Sequence, residues 1–260
     1  MSLIHPTAII DENAKIGENV KIGAYSVIGP EVTIGDGTVI STHVLIEGKT
    51  TIGKDNQIFS HAVLGSIPQD LKFHGEDVEL IIGDRNKIRE HVLFNPGTEG
   101  GGSITKIGND NLFMGHVHLG HDCIFADNIV VANSCAIAGH VEVDSNVVIG
   151  GMSAIHQFVK VGTGVMIGGG AIVIQDIPPY CLAEGNRAVL RGLNINGLRR
   201  KMKDRSQIDA IKNAYKELFT SGRPLSDVVN ELLESSSNEF VKAMAKFVSE
   251  TKRGIPFERK

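Results

Sequence analysis

IHPTAIIDENAKIGENVKIGAYSVIGPEVTIGDGTVI (residues 4–40) carries an isoleucine at every sixth position. Stepping by six from Ile4 gives Ile10, Ile16, Ile22, Ile28, Ile34, Ile40, Ile46, Ile52, Ile58 and Leu64 without a break. A second phase runs Ile82, Ile88 and Phe94, and a third runs from Ile107 through Phe113, Leu119, Phe125, Val131, Ile137, Val143, Ile149, Ile155, Val161 and Ile167 to Val173. A period of six fits neither the helical repeat of about 3.6 nor a heptad, and it belongs to the parallel β-helix. If each hexad is a short strand and a corner, three hexads close a triangular coil of 18 residues. Residues one coil apart then stack at roughly 4.8 Å, the strand spacing, so spatial neighbours follow from numbering alone. Glycine often follows the marker, as in Ile16-Gly17, Ile22-Gly23, Ile34-Gly35 and Ile149-Gly150. The expectation there is a tight corner that uses glycine's freedom in φ.

Composition agrees with a solenoid. The 260 residues are 42% hydrophobic yet include no Trp, 5% aromatics and 30 Gly, so aliphatic side chains and glycine must build most of the interior. A net charge of −4 argues against nucleic acid as the main ligand, which needs an excess of Lys and Arg. Cys123, Cys135 and Cys181 are odd in number and form no C-x-x-C pair, which fits a reducing compartment. MSLIHPTAII lacks a basic segment followed by an apolar one, and no long apolar run occurs. A cytoplasmic protein without stable membrane insertion is expected.

Two phase breaks mark insertions near residues 65–80 and 95–105, the first containing PQDLKFHGE and the second NPGTEGGGS. Loops leaving a rigid solenoid are where function concentrates. After IPPY (Ile177 to Tyr180) the six-residue period gives way to helical patterning. Ser206 is placed to cap a helix carrying Ile208, Ile211, Tyr215, Leu218 and Phe219, Ser226 a second, and a third is expected near Asn238 to Thr251. The fold class is therefore mainly β: a parallel β-helix over residues 1–186 followed by a small α-helical domain over 187–260.

Histidine clusters at His116, His118, His121, His140 and His156. One coil on from His121 is Gly139, one coil on from Asp122 is His140, and His156 is one coil on from Ala138. Three imidazoles, a carboxylate and a glycine amide thus fall on one patch. That set suits acyl transfer: a base for a hydroxyl, a carboxylate to orient it, and an N–H for the oxyanion. Histidine fits the base because its ordinary pKa of about 6.5 lets it accept and return a proton near neutrality. Three imidazoles also suit a zinc ion with an open position.

HVHLGHDC (His116 to Cys123), AGHVEV (Ala138 to Val143), GGMSAIHQF (Gly150 to Phe158) and PQDLK (Pro68 to Lys72) resemble the UDP-N-acetylglucosamine O-acyltransferases, which catalyse the first step of lipid A biosynthesis. The likeness extends through IPPYCLAEGNRA and the helical tail. It implies left-handed coils, although the usual preference for right-handed crossovers points the other way. It also implies that His121 takes the proton of the glucosamine 3-hydroxyl as that oxygen attacks a (3R)-hydroxyacyl thioester on acyl carrier protein. Asp122 would support the base, and the Gly139 N–H would hold the oxyanion. Asp70, Lys72, His118, His140, His156 and Gln157 stand at positions that bind or orient the sugar nucleotide. GLNINGLRR (Gly192 to Arg200) matches a segment contacting uridine and pyrophosphate, which makes Asn194, Asn196 and Arg200 ligand candidates. Gly169 stands at the acyl-chain ruler. No metal or other cofactor is implied, and homotrimers with sites between subunits are.

Two places depart from the family pattern: Asn196 stands where a relative carries Glu, and Asn95-Pro96 where it carries His-Arg. The basic run Arg187, Arg191, Arg199, Arg200, Lys201, Lys203, Arg205 suits docking of an acidic carrier protein. The residues leave open a sister enzyme that N-acylates the next intermediate, a zinc-dependent γ-type carbonic anhydrase, a non-catalytic scaffold, and a 3-amino rather than 3-hydroxyl acceptor.

Overall fold

A hexad becomes a two-residue strand whose second residue points inward, as in Val27–Ile28 and Val39–Ile40, where the valine is exposed and the isoleucine buried. The computed structural model describes residues 4–257, so the outermost ends of both expected domains, 1–3 and 258–260, lie outside the described residues. Among these, three sheets of nine, eight and ten strands form the faces of a left-handed parallel β-helix. We call them the first, second and third sheets; they begin at Ile9–Ile10, Lys15–Ile16 and Lys21–Ile22.

The register is the one expected. Val27 pairs with Leu45 and Thr33 with Thr51, 18 residues apart. Across the first insertion Thr51 pairs with Ile81, 30 apart, and across the second Ile81 pairs with Lys106, 25 apart. The loops therefore add 12 and 7 residues while the ladder continues beneath them. Markers fill the interior, with Phe94, Phe113 and Phe125 the largest; Phe94 and Phe113 meet edge to face at 4.8 Å.

The glycines after the markers have a different reason from the expected one. Gly17, Gly23, Gly35 and Gly150 do not adopt positive φ. A Cβ at Gly23 or Gly35 would lie 2.6 Å from backbone carbon of the next coil, so close approach of the coils excludes a side chain. The left-handed corner falls two residues later, at Asn19, Tyr25, His43, Asp55 and His61, with φ between 55° and 64°. Asn, Asp and His tolerate that region better than most side chains.

At the end of the solenoid, Cys181–Glu184 and Val189–Leu193 pair antiparallel and close the third sheet, so the hairpin spans the expected boundary at 186/187. Four helices follow: α1 (Ile195–Lys201), α2 (Arg205–Phe219), α3 (Leu225–Ser235) and α4 (Glu239–Glu250). The short α1 has no counterpart in the sequence-based expectation. Asp204, not Ser206, caps α2, because its carboxylate accepts from the Ser206 amide at 2.8 Å. Likewise α3 starts at Leu225 with Pro224 at its N-cap, so Ser226 already lies inside the helix. Asn238 caps α4, accepting from the amides of Phe240 and Val241. The helices share a core with Tyr180, Leu190 and Leu193 of the solenoid end. Buried Asp176 ties the tail back, accepting from the Lys160 amide at 2.8 Å and the Thr251 hydroxyl at 2.6 Å.

Replacing Phe113 by Ala should therefore lower stability in urea titration by about 3–5 kcal/mol, whereas Val39→Ala on an outer face should change it by less than about 0.5 kcal/mol.

Candidate active site

His121 and Asp122 occupy the corner that follows the strand His118–Leu119 of the first sheet, and Asp122 is its left-handed residue at φ 59°. One coil on, the His140 amide donates to the His121 carbonyl at 2.9 Å, which fixes the stacking of the two corners. The His121 and His140 rings meet edge to face, 4.9 Å between centroids. Asp122 Oδ2 lies 2.7 Å from His121 Nδ1. A carboxylate oxygen accepts, so Nδ1 carries the proton and Nε2 is left with its lone pair. The carboxylate side chain is 1% exposed and the imidazole 16%.

Gly139 lies against the face of that ring. A Cβ at 139 would lie 2.7 Å from both Cε1 and Nε2 of His121, so only glycine fits there. Among the described residues no acceptor takes the Gly139 N–H. Gly120 keeps it open, since a Cβ at 120 would sit 2.8 Å from that nitrogen. An imidazole and an amide without an acceptor thus lie next to one another, as coil spacing places them.

The second insertion completes the site with residues that periodicity did not reveal. Thr98 donates its amide to Asp122 Oδ1 at 2.9 Å and its hydroxyl to Oδ2 at 2.6 Å. The Asp122 amide donates to the Thr105 hydroxyl at 2.8 Å. Phe158 was also missed, although it is one coil on from His140 and stacks on that ring at 4.3 Å. Burial lowers the pKa of His118, and the nearby His121 adds to this. Burial likewise lowers His140, outweighing the opposite pull of Asp122 and Asp70. Both rings therefore favour the neutral form.

Other expected site residues are placed as follows. Asp70 lies close enough, within the same chain, for its charge to act on His140. Its own loop is pinned by the Lys72 amide donating to Asp70 Oδ1 at 3.0 Å, and Lys72 is exposed. His156 and Gln157 are exposed beside the patch, His156 Nδ1 lying 3.3 Å from the Gln157 carbonyl. His116 is elsewhere: it belongs to a stack with His91, 4.8 Å away, on the corner before the first sheet. Exposed Gly169 is also on that corner. Asn194 caps α1, accepting from the Gly197 amide at 3.0 Å, and donates to the Gly164 carbonyl. It lines a cavity of about 330 Å³ with Lys201 and Tyr180, which no histidine of the patch lines. Asn196 and Arg200 are exposed on α1. Within one chain, then, the α1 candidates are not brought to His121. Asn95, where the family pattern differs, is buried and donates to the carbonyls of Ser66 and Ile67, joining the roots of the two loops.

His121, Asp122 and His140 have donor atoms within 4.8 Å of one another, the spacing of a possible metal site. However, both Asp122 oxygens already accept hydrogen bonds and His121 Nδ1 is engaged, so a metal would have to displace these contacts. His156, the third imidazole of the zinc reading, is not in this set. The donor set fits an oriented base better than an ion.

Known proteins share this arrangement's framework. The model of bacterial transferase hexapeptide repeats matches residues 13–48, and that of UDP-N-acetylglucosamine O-acyltransferase domain 2 matches residues 176–256. The chain is 65% identical to acyl-(acyl-carrier-protein)–UDP-N-acetylglucosamine O-acyltransferase of Aliarcobacter butzleri and 61% identical to that of Sulfurovum sp., over the full length of both partners in each case. The solved UDP-N-acetylglucosamine acyltransferase of Campylobacter jejuni superposes with a TM-score of 0.95 at 43% identity, covering 98% of this chain and 100% of that one. Solenoid, helical tail and full-length identity together place the chain in the family of UDP-N-acetylglucosamine O-acyltransferases.

Proposed function

We propose that the chain transfers a (3R)-hydroxyacyl group from acyl carrier protein to the glucosamine 3-position of UDP-N-acetylglucosamine, the first step of lipid A biosynthesis. The observation that carries this reading is His121 held by Asp122 at 2.7 Å with its ring packed against Gly139. Nε2 takes the proton of the 3-hydroxyl while that oxygen attacks the thioester carbonyl. The Gly139 N–H receives the oxyanion of the tetrahedral intermediate. Collapse breaks the carbon–sulfur bond, and the imidazolium returns its proton to the departing thiolate. The chemistry uses no cofactor.

In our reading His118, His140, His156, Gln157, Asp70 and Lys72 bind the sugar nucleotide. Asn194, Asn196 and Arg200 complete the site from a neighbouring subunit of a homotrimer. Support comes from the outward face of the first sheet. Its positions Ile9, Val27, Leu45, Val63, Leu93, Ala136, Ala154 and Ile172 are apolar, with His118 the exception. Ile9 is 66% exposed, and an apolar face of this kind marks an association surface. Gly169 borders the same face, where it sets the length of the acyl tail. The exposed basic run from Arg187 to Arg205 receives the acidic carrier protein. No helix among the described residues is long and apolar enough to cross a membrane, in keeping with a cytoplasmic enzyme.

An assay with a panel of acyl carrier protein thioesters and both the 3-hydroxyl and 3-amino sugar nucleotides tests the function; failure to acylate either acceptor refutes it. Gly139→Ala should lower kcat at least about a hundredfold through collision with the base, and wild-type kcat in that variant would remove the assigned contact. The neutral preference of His118 and His140 has a further consequence. As pH falls below about 6.5 the unfolded chain takes up protons before the folded one, so stability is lost over that range. Urea titrations at pH 7.5 and 5.5 should show a smaller acid loss in the His118→Gln, His140→Gln double variant than in the wild type.

A further inference from the structure

We infer that Thr98 is a positioning residue for the catalytic pair, holding the Asp122 carboxylate so that one oxygen serves His121; this rests on the general-base reading of His121. Asp122 has a side chain 1% exposed, so solvent does not orient it. Its orientation comes from three donors. Thr98 supplies two, the amide to Oδ1 at 2.9 Å and the hydroxyl to Oδ2 at 2.6 Å, and His121 Nδ1 supplies the third to Oδ2 at 2.7 Å. Rotation of the carboxylate would break both Thr98 bonds at once.

Thr98 is itself fixed. Its carbonyl accepts from the amides of Gly101 at 2.9 Å and Ser103 at 2.8 Å, closing the short turn Glu99–Gly101. That turn lies on the carboxylate: a Cβ at Gly101 would fall 2.0 Å from Asp122 Cγ. Thr105 takes the Asp122 amide from the other end of the loop. The insertion therefore clasps one residue, Asp122, from both sides. Asn95, three residues before Thr98, ties the clasp to the PQDLK loop through the Ser66 and Ile67 carbonyls.

The Thr98 hydroxyl also sets how strongly Asp122 acts on its neighbour. It draws charge from the oxygen that faces His121, and so weakens the hold of that oxygen on an imidazolium. The other titratable groups around the ring are His118 on the preceding strand, and His140 on the next coil with Asp70 acting on it from the first insertion. Removing the hydroxyl while keeping the amide leaves His121 Nδ1 as the one hydrogen-bond donor to Oδ2, with His140 Nε2 3.8 Å from the same oxygen. The ring should then keep its proton to higher pH, and the carboxylate should be less well placed.

The test uses full-length Thr98→Val and Thr98→Ser beside the wild type. It combines pH profiles of kcat/KM for acyl transfer with a histidine ring titration by nitrogen-15 NMR. Thr98→Val should lower kcat about ten- to hundredfold, the scale of a hydrogen bond to a charged group, with KM for the sugar nucleotide little changed. Its acidic limb and the His121 titration should both move to higher pH, and Thr98→Ser should restore both. Equal behaviour of Thr98→Val and wild type overturns the inference, as does equal loss in Val and Ser variants with no movement in pH. If the ring titration shifts but no protein transfers an acyl group, the positioning role stands and the general-base reading falls.

Discussion

The hydrogen-bond register between successive coils is the constraint on which the rest depends. Along the regular coils a residue is held over the one 18 positions away, as Val27 is over Leu45 and Val130 over Val148, and the ladder continues across the insertions. Parallel pairing leaves no room for slippage, because a shift of one residue would turn every buried marker outward. Close stacking of coils also explains the glycines that follow markers, whose missing side chains admit the backbone above. From the same register come the stacked corners at His121 and Gly139, and at Asp122 and His140. Scaffold and catalytic geometry are thus one set of bonds.

Much of this was legible in the chain before any coordinates. A repeat needs only its period to predict neighbours, so the patch around His121 followed from counting. Counting also has limits. His156 falls one coil on from Ala138 as counted, and the same count puts Phe158 on His140, a contact that attention to histidines alone passed over. Helix starts were misjudged where Asp204 and Pro224, not the serines after them, begin the turn. The left-handed handedness was accessible only through resemblance, since hydrophobic spacing is the same for either hand.

What counting could not reach lies in the insertions. Their lengths are invisible until the ladder resumes on the far side, so nothing in the spacing placed Thr98 against Asp122 or Asp70 within range of His140. These loops give the site its depth. A bare β-helix corner would leave Asp122 in water, where a carboxylate has no preferred orientation. With Thr98, Gly101 and Thr105 around it, the carboxylate is sequestered and directional, and it engages one nitrogen of the neighbouring imidazole. In the proposed site the two phase breaks thus act together with the coil, which supplies the fixed points on which they close.

The central claim is that one imidazole, oriented by a buried carboxylate, performs the proton transfer. Its most direct test is acyl transfer from carrier-protein thioester to sugar nucleotide by His121→Ala, with the melting temperature of the variant measured alongside. The account predicts a folded protein of near wild-type melting temperature whose kcat falls by about a thousandfold. A variant that retains transfer within about tenfold of wild type would contradict it.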